Sequence, residues 1–278
     1  MNNLIAAIVF IALAPVLGGL VYGVERKVRA RMQNRMGPSI LQPFFDFMKL
    51  LDKRPMMVHS THAFLGIMHF VAIWFALAVL VLGGDMLVVI FLHLLATALL
   101  VVAGYSVRSV FSHLGSTRQA LSALAYEPVL LAIAIGFFMV TGSFNTSAVM
   151  NSAQPLIVKL PLAFVALLMI LPIKLKKSPF DVADAHQEVV GGAEIEFSGV
   201  FFEALYTARW VEYMFGYSLV ALFAGANIWL GIGMATVVFF VVNAVDNSTA
   251  RLNYKDMLKI SLGIALPLAL LNLVFLVL

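Results

Sequence analysis

The sequence predicts an all-α integral membrane protein of eight transmembrane helices, with an amphipathic helix in the first cytoplasmic loop. Three observations carry that fold class. Of the 278 residues, 62% are hydrophobic and only 12% charged, and mean hydropathy is +1.00, far from the composition of soluble domains. The apolar residues come in runs of ~20, long enough to cross ~30 Å of hydrocarbon as helices. The basic residues are gathered between those runs. Short alternating strands, the mark of a membrane barrel, do not occur in the pattern.

In chain order the runs fall at 4–24, 62–83, 86–106, 121–142, 156–174, 200–223, 226–246 and 258–278. The first lacks a basic leader and a small-residue cleavage site, so it reads as a retained span. Apart from Lys159 and Arg209, the lysines and arginines lie in or at the edges of segments 25–61, 107–120, 175–199 and 247–257. That bias places the four segments in the cytoplasm and both termini on the outer side. The pI near 9.4 is therefore a topology signal, and the basic–aromatic interleaving of a nucleic-acid surface is missing. No composition shift divides the chain, so 1–278 reads as a single transmembrane domain.

There is no cysteine, hence no thiolate for an iron–sulfur cluster or a nickel site. No cofactor is expected in this chain. His59 and His62 stand at i, i+3 without a third ligand nearby, so no metal site is expected either.

The first cytoplasmic segment holds its own helix, in ILQPFFDFMKLLDK. At 3.6 residues per turn, Gln42, Asp46, Lys49 and Lys53 project at about 0°, 40°, −20° and 20°, and apolar residues cover the rest. So narrow a polar stripe describes a helix at the membrane interface or packed against other spans. It serves either as a plain anchor or as the holder of a functional Asp46–Lys49 pair.

Five of the fourteen carboxylates fall within sixteen residues: Asp181, Asp184, Glu188, Glu194 and Glu196, preceded by Lys174, Lys176 and Lys177. If helical, Asp181, Asp184 and Glu188 share one face at about 0°, −60° and −20°, and Gly191-Gly192 then breaks the helix. Crowded carboxylates raise one another's pKa values, which suits a proton relay or a charge-driven switch. The competing reading is a solvated acidic loop docked on a basic partner.

Inside the spans, Glu127 precedes Pro128 and has no local partner. Glu212 stands three residues after Arg209 and can pair with it, while Asp246 closes the seventh run near Arg251. Each charge near the bilayer centre costs ~2.5–3.5 kcal/mol, so these residues are candidates for ion translocation or coupling. His69 and His93 either relay protons or, the commoner outcome, bond to a backbone carbonyl.

VERKVRARMQNRMGPSILQPFFDFMKLL (24–51) and SPFDVADAHQEVVGGAEIEFSG (178–199) resemble the two signature segments of the membrane subunit at the foot of respiratory complex I, known as subunit 1 or H. That family includes the homologous subunit of energy-converting NiFe hydrogenases. The resemblance spans nearly the whole chain. Only Ser39-Ile40 separates the GP at 37–38 from LQP at 41–43, and this short form resembles the hydrogenase type. His186 and Lys255 depart from the complex I pattern, where acidic residues are usual.

The resemblance implies a membrane-anchoring and coupling subunit in a prokaryotic cytoplasmic membrane, without catalytic residues of its own. Hydrogenase large and small subunits and a ferredoxin-like iron–sulfur subunit are implied on the cytoplasmic face, carrying the iron–sulfur clusters and the NiFe centre. An antiporter-like subunit is implied beside the chain in the bilayer. Redox turnover is expected to act on Asp181, Asp184, Glu188, Glu194 and Glu196, and to reach H⁺ or Na⁺ translocation through Glu127, Glu212 and Asp246. Glu25, Arg26, Lys27, Arg35, Asp46, Lys49 and Arg251 are implied in docking and coupling.

Three other readings remain. The quinone-binding subunit of a complex I-type dehydrogenase is nearest. A stand-alone ion transporter usually places paired broken helices at the midplane, whereas the charge here sits at the cytoplasmic edge. A prenyltransferase needs a second aspartate-rich motif beside Asp181-x-x-Asp184, and the candidate around Asp246 offers one carboxylate.

Overall fold

Hydrocarbon offers no water to backbone N–H and C=O groups, so a chain this apolar satisfies them within helices. The computed structural model describes residues 2–278 and contains no β-strand among them, only an isolated bridge between Asp85 and Asn145. The helices are α1 (Asn2–Met32), α2 (Gln42–Asp52), α3 (Ser60–Val81), α4 (Met86–Tyr105), α5 (Val110–Thr141), α6 (Thr146–Met150), α7 (Leu156–Lys159), α8 (Pro161–Lys174), α9 (His186–Val189), α10 (Val200–Leu222), α11 (Ile228–Ser248), α12 (Tyr254–Ile260) and α13 (Leu266–Val277). A π-helical stretch, Ser261–Ala265, joins the last two.

Six stretches are long and apolar enough to cross a membrane: Leu4–Met32, Ser60–Val81, Met86–Tyr105, Val110–Thr141, Ile228–Ser248 and Tyr254–Val277. α10 has the length, at 23 residues, but carries Glu203, Arg209 and Glu212. α8 has only 14 residues. Large apolar side chains such as Leu4, Phe75, Phe91 and Phe275 stay exposed, as expected where lipid is the neighbour.

Several boundaries differ from the sequence expectation. α1 continues to Met32, so Arg26, Lys27, Arg29 and Arg31 ride on the helix rather than in a loop. α5 begins at Val110, eleven residues early, because Ser112, Gly115, Ser116 and Gln119 are buried. A Cβ on Gly115 would lie 2.2 Å from the Gly192 Cα, so a glycine is required where α5 meets the 192–194 turn. The fifth run breaks at Leu160, where Pro161 starts a new helix; Asn272 of α13 accepts from the freed N–H groups of Leu162 at 2.8 Å and Ala163 at 3.1 Å.

The acidic segment is also corrected. Only His186–Val189 is α-helical there, followed by a single 3₁₀ turn at Gly192–Glu194, so Asp181, Asp184 and Glu188 do not share a helix face. Val190, Gly191 and Gly192 are all left-handed, with φ of 55°, 107° and 61°. That is the conformation glycine tolerates best.

The core runs between α3, α4, α5, α8 and α10, through Leu77, Leu80, Ile90, Leu130, Phe137, Ile170 and Phe215. α1 approaches α10 closely enough that a Cβ on Gly18 would meet the Trp210 carbonyl oxygen at 2.2 Å. α2 packs Phe44 and Phe47 against the Trp210 ring, with centroids at 5.3 and 6.0 Å. The loop helix is therefore seated on α1 and α10.

Candidate functional site

Four helices each contribute one charged or titratable side chain to a cluster in the interior. His93 of α4 lies between Glu127 of α5, whose Oε1 is 3.3 Å from Nδ1, and Glu212 of α10, whose Oε1 is 3.4 Å from Nε2. The Lys174 ammonium, at the end of α8, contacts the same Nε2 and lies 3.7 Å from Glu212. Lys174 is fully enclosed, and His93 is 1% exposed. Tyr126 and Phe215 close the cluster around the ammonium, with centroids at 5.6 and 4.4 Å, and the His93 ring stacks on Phe215 at 5.0 Å.

A neutral imidazole donates through one nitrogen and accepts through the other. With His93 neutral and Lys174 charged, two carboxylates face one cation, so the group has room for one more proton. Glu127 Oε2 is buried without a hydrogen-bond partner, an acceptor still open to a proton.

A second layer of charge surrounds the 176–199 segment. Glu194 is held by Lys176 at 2.9 Å and Arg209 at 2.9 Å, and Asp184 by Lys176 at 3.3 Å and Arg209 at 2.8 Å. Burial pushes the Glu194 carboxyl up, but Arg209 and Lys176 outweigh it and hold the pKa down at about 2. The Lys176 ammonium is correspondingly pushed up: desolvation opposes the shift and Asp184 and Glu194 win. Lys177, buried against Glu25, goes the other way because desolvation wins. Arg29 contacts Asp246, which also accepts from the Ser178 N–H at 2.9 Å. Arg251 forks onto Asp181 at 2.7 and 2.6 Å, and Arg118 reaches Glu188 at 2.5 Å.

The sequence-singled residues are thus largely brought together, but through other partners than expected. Arg209 does not pair with Glu212; it faces Asp184 and Glu194, while Glu212 turns toward His93. Asp246 pairs with Arg29 rather than Arg251. Asp46 takes Arg26 and Gln42, each at 2.8 Å, and not Lys49, which is exposed. Burial opposes ionisation of Asp46, yet those two hydrogen bonds and the Arg26 charge hold its pKa below the usual range. The expected rise in carboxylate pKa fails at Glu194, because that carboxylate sits nearer to Lys176 and Arg209 than to another acid. Glu196 makes no ion pair among the described residues; Lys27 and Arg35 also stand outside the network, Arg35 contacting Gln33.

Sequence reasoning missed His93 and Lys174 as members of one cluster. His69 does what was expected of both intramembrane histidines, its Nδ1 bonding the Ala96 carbonyl at 2.7 Å. Among the described residues no three His, Cys, Asp or Glu side chains converge on a metal position.

A family model described as NADH dehydrogenase matches residues 4–277. The chain belongs to the NADH dehydrogenase family. Its relatives include formate hydrogenlyase subunit 4 of Escherichia coli, 32% identical over 214 residues, covering 70% of this chain and 68% of that one. The H subunit of the NADH-quinone oxidoreductase of Brevibacillus brevis is 29% identical over 310 aligned positions, covering 97% of this chain and 90% of the relative. A solved chain of the membrane-bound sulfane sulfur reductase, an archaeal respiratory membrane complex, superposes with a TM-score of 0.89 at 23% identity, over 99% of this chain and 100% of that one. That likeness establishes the shared fold. This NADH dehydrogenase family member is a multi-pass membrane protein of the complex I-like kind, and its charge lies in two layers, one inside the bundle and one around 176–199.

Proposed function

We propose that the chain is the membrane-anchoring and coupling subunit of an energy-converting NiFe hydrogenase complex, linking proton reduction in a peripheral redox arm to H⁺ or Na⁺ translocation. The observation that carries this is the closeness of the two charged layers. Glu194 lies within the 178–199 segment, where an arm would dock; Lys176, which holds it, also feels the charge of Glu212, and His93, Lys174 and Glu127 carry the polar cluster further into the bundle. A cluster with room for one more proton suits a group that is loaded and emptied as charge changes at that segment. The short GP–LQP spacing and the formate hydrogenlyase relative favour the hydrogenase type.

In this reading the chain is a single domain of eight spans. α7 and α8 together make the fifth, and α10 is the sixth, its Arg209 and Glu212 paired inside the bundle. α2 lies along the interface. The four basic segments face the cytoplasm of a prokaryotic cell, with both termini outside. Hydrogenase large and small subunits, a ferredoxin-like iron–sulfur subunit and an antiporter-like subunit are its partners and carry the metal centres.

The test uses inverted vesicles containing the whole complex, with Glu127→Gln and Glu212→Gln made singly. Ion uptake per hydrogen evolved is expected to fall while uncoupled hydrogen evolution persists. Full coupling in both variants would reject the relay. A second reading, a quinone-linked dehydrogenase subunit, is favoured by the long alignment with the Brevibacillus brevis protein; quinone copurifying with the complex and no NiFe subunit beside it would establish that alternative.

A further inference from the structure

Glu127 reaches the buried cluster from a softened turn of α5. Pro128 brings no N–H, so the Leu124 carbonyl loses its helical partner and the turn 124–128 is loosened. That turn nevertheless aims Glu127 at His93, 3.3 Å from Nδ1, and leaves Glu127 Oε2 buried without a partner. Toward α4 the turn is fixed by Tyr126, whose hydroxyl lies 3.2 Å from that of Thr97. From the last helix the Ser261 hydroxyl donates to the Ala125 carbonyl. Ser261 and Ala125 are both 0% exposed. Ala125 and Glu127 stand about 200° apart around α5, so Ser261 braces the turn from behind Glu127. Inside a membrane, serine hydroxyls of a neighbouring helix support backbone that a proline has loosened.

Ser261 reaches Ala125 because the last helix is not regular. It opens the π-helical stretch Ser261–Ala265, and Pro267 follows at the start of α13. In an unbroken α-helix Ser261 and Asn272 would stand about 20° apart and face one neighbour. The extra residue of a π-turn rotates one against the other by roughly 100°. Ser261 therefore serves α5, while Asn272 serves the start of α8. The π-turn is what lets both bonds form, and such turns are frequent at functional sites.

We propose that Ser261 is a positioning residue for Glu127: presented by the π-turn, its hydroxyl fixes the loosened turn of α5 and with it the approach of Glu127 to His93. The assignment rests on the relay reading of the buried cluster and adds the residue that sets the place of its α5 carboxylate.

The test is an infrared pH titration of the intact complex in inverted vesicles, with the Glu127 carboxyl band identified by its loss in Glu127→Gln. Ser261→Ala is expected to displace the Glu127 midpoint by about one pH unit, the scale of one hydrogen bond. Ser261→Thr, which keeps the hydroxyl, is expected to stay at the parent midpoint, as is Ser248→Ala at the exposed end of α11. A serine with a merely structural role would lower thermal stability and leave the midpoint in place, and that result overturns the proposal. A midpoint displaced as far in Ser261→Thr as in Ser261→Ala also overturns it. Ion uptake per hydrogen evolved is read on the same vesicles. A displaced midpoint in Ser261→Ala with full coupling in Glu127→Gln keeps the positioning role and rejects the relay. An unmoved midpoint with coupling lost in Glu127→Gln rejects the positioning role alone. If Glu127→Gln removes no titrating band, both are rejected.

Discussion

Lys174 and Glu212 meet the same nitrogen of His93: the Lys174 ammonium contacts Nε2, and Glu212 Oε1 lies 3.4 Å from it. The two contacts require opposite states of that nitrogen. An ammonium donates to a bare Nε2, which leaves the proton on Nδ1 facing Glu127 at 3.3 Å. Glu212 instead needs an N–H at Nε2, and with both carboxylates ionised the two contacts together require a doubly protonated ring. One added proton thus changes which neighbour the ring serves.

Removing Lys174 tests this arrangement. Lys174→Met leaves Glu212 and Glu127 facing only the His93 ring, and breaking a buried ion pair costs about 3–5 kcal/mol. The double variant Lys174→Met/Glu212→Leu removes both charges and is expected to regain most of that loss. Thermal unfolding of the detergent-solubilised chain reads both, and equal instability of single and double variants would show that the pair is not coupled.

Gly18→Ala is expected to separate α1 from α10. The added Cβ meets the Trp210 carbonyl oxygen at 2.2 Å and its carbon at 2.7 Å, and backbone cannot yield as a flexible side chain does. Overpacking of this kind costs about 1–3 kcal/mol. Lower thermal stability with faster amide exchange in α2, which leans on Trp210, is the expected result; an unchanged melting point refutes the close approach.

The helices were legible because apolar length is a local property: α3, α4, α10 and α11 begin and end within about two residues of their apolar runs. The partners were not. Helical spacing names only neighbours three or four residues apart, and it suggested Arg209–Glu212. In the fold Glu212 finds His93 across 119 positions and Arg209 finds Glu194 across 15. In the sequence Lys174 is indistinguishable from a topology signal, because charge alone explains its place beside Lys176 and Lys177. Its burial comes from α8 ending inside the bundle, against α4 and α10, which no local pattern encodes. The 178–185 stretch defeats the helix expectation because its carboxylates are each drawn to a different cation, Asp181 to Arg251 and Asp184 to Arg209 and Lys176.

Glu194 gives the acidic segment a defined response to acid. Its pKa falls from the ordinary 4.5 to about 2 on folding. A carboxyl depressed in this way stabilises the fold fully above its unfolded pKa, and the contribution disappears as pH drops through the folded one. Amides of 190–199 are therefore expected to lose protection progressively between pH 4.5 and about 2. Glu194→Gln should be less protected at neutral pH and flat across that window. A titration of the same size in the variant would assign the effect to another group.

Arg251→Lys separates charge from geometry at the far side of the same segment. Arg251 binds Asp181 through Nε at 2.7 Å and Nη2 at 2.6 Å, and lies 3.8 Å from Glu188. Lysine keeps the charge but offers a single point, so the two parallel bonds cannot both survive. Both partners are part-exposed, at 26% and 19%, so the loss of stability should be small, about 1 kcal/mol or less. The local effect should be larger, because Asp181 is fastened to Arg251 while Asp184 is fastened elsewhere. Faster amide exchange confined to 180–184 and 251–253 is the expected outcome, with 192–199 still held by Lys176 and Arg209. Uniform loosening of the whole 178–199 segment would mean that Arg251, rather than the Glu194 cluster, is what anchors it.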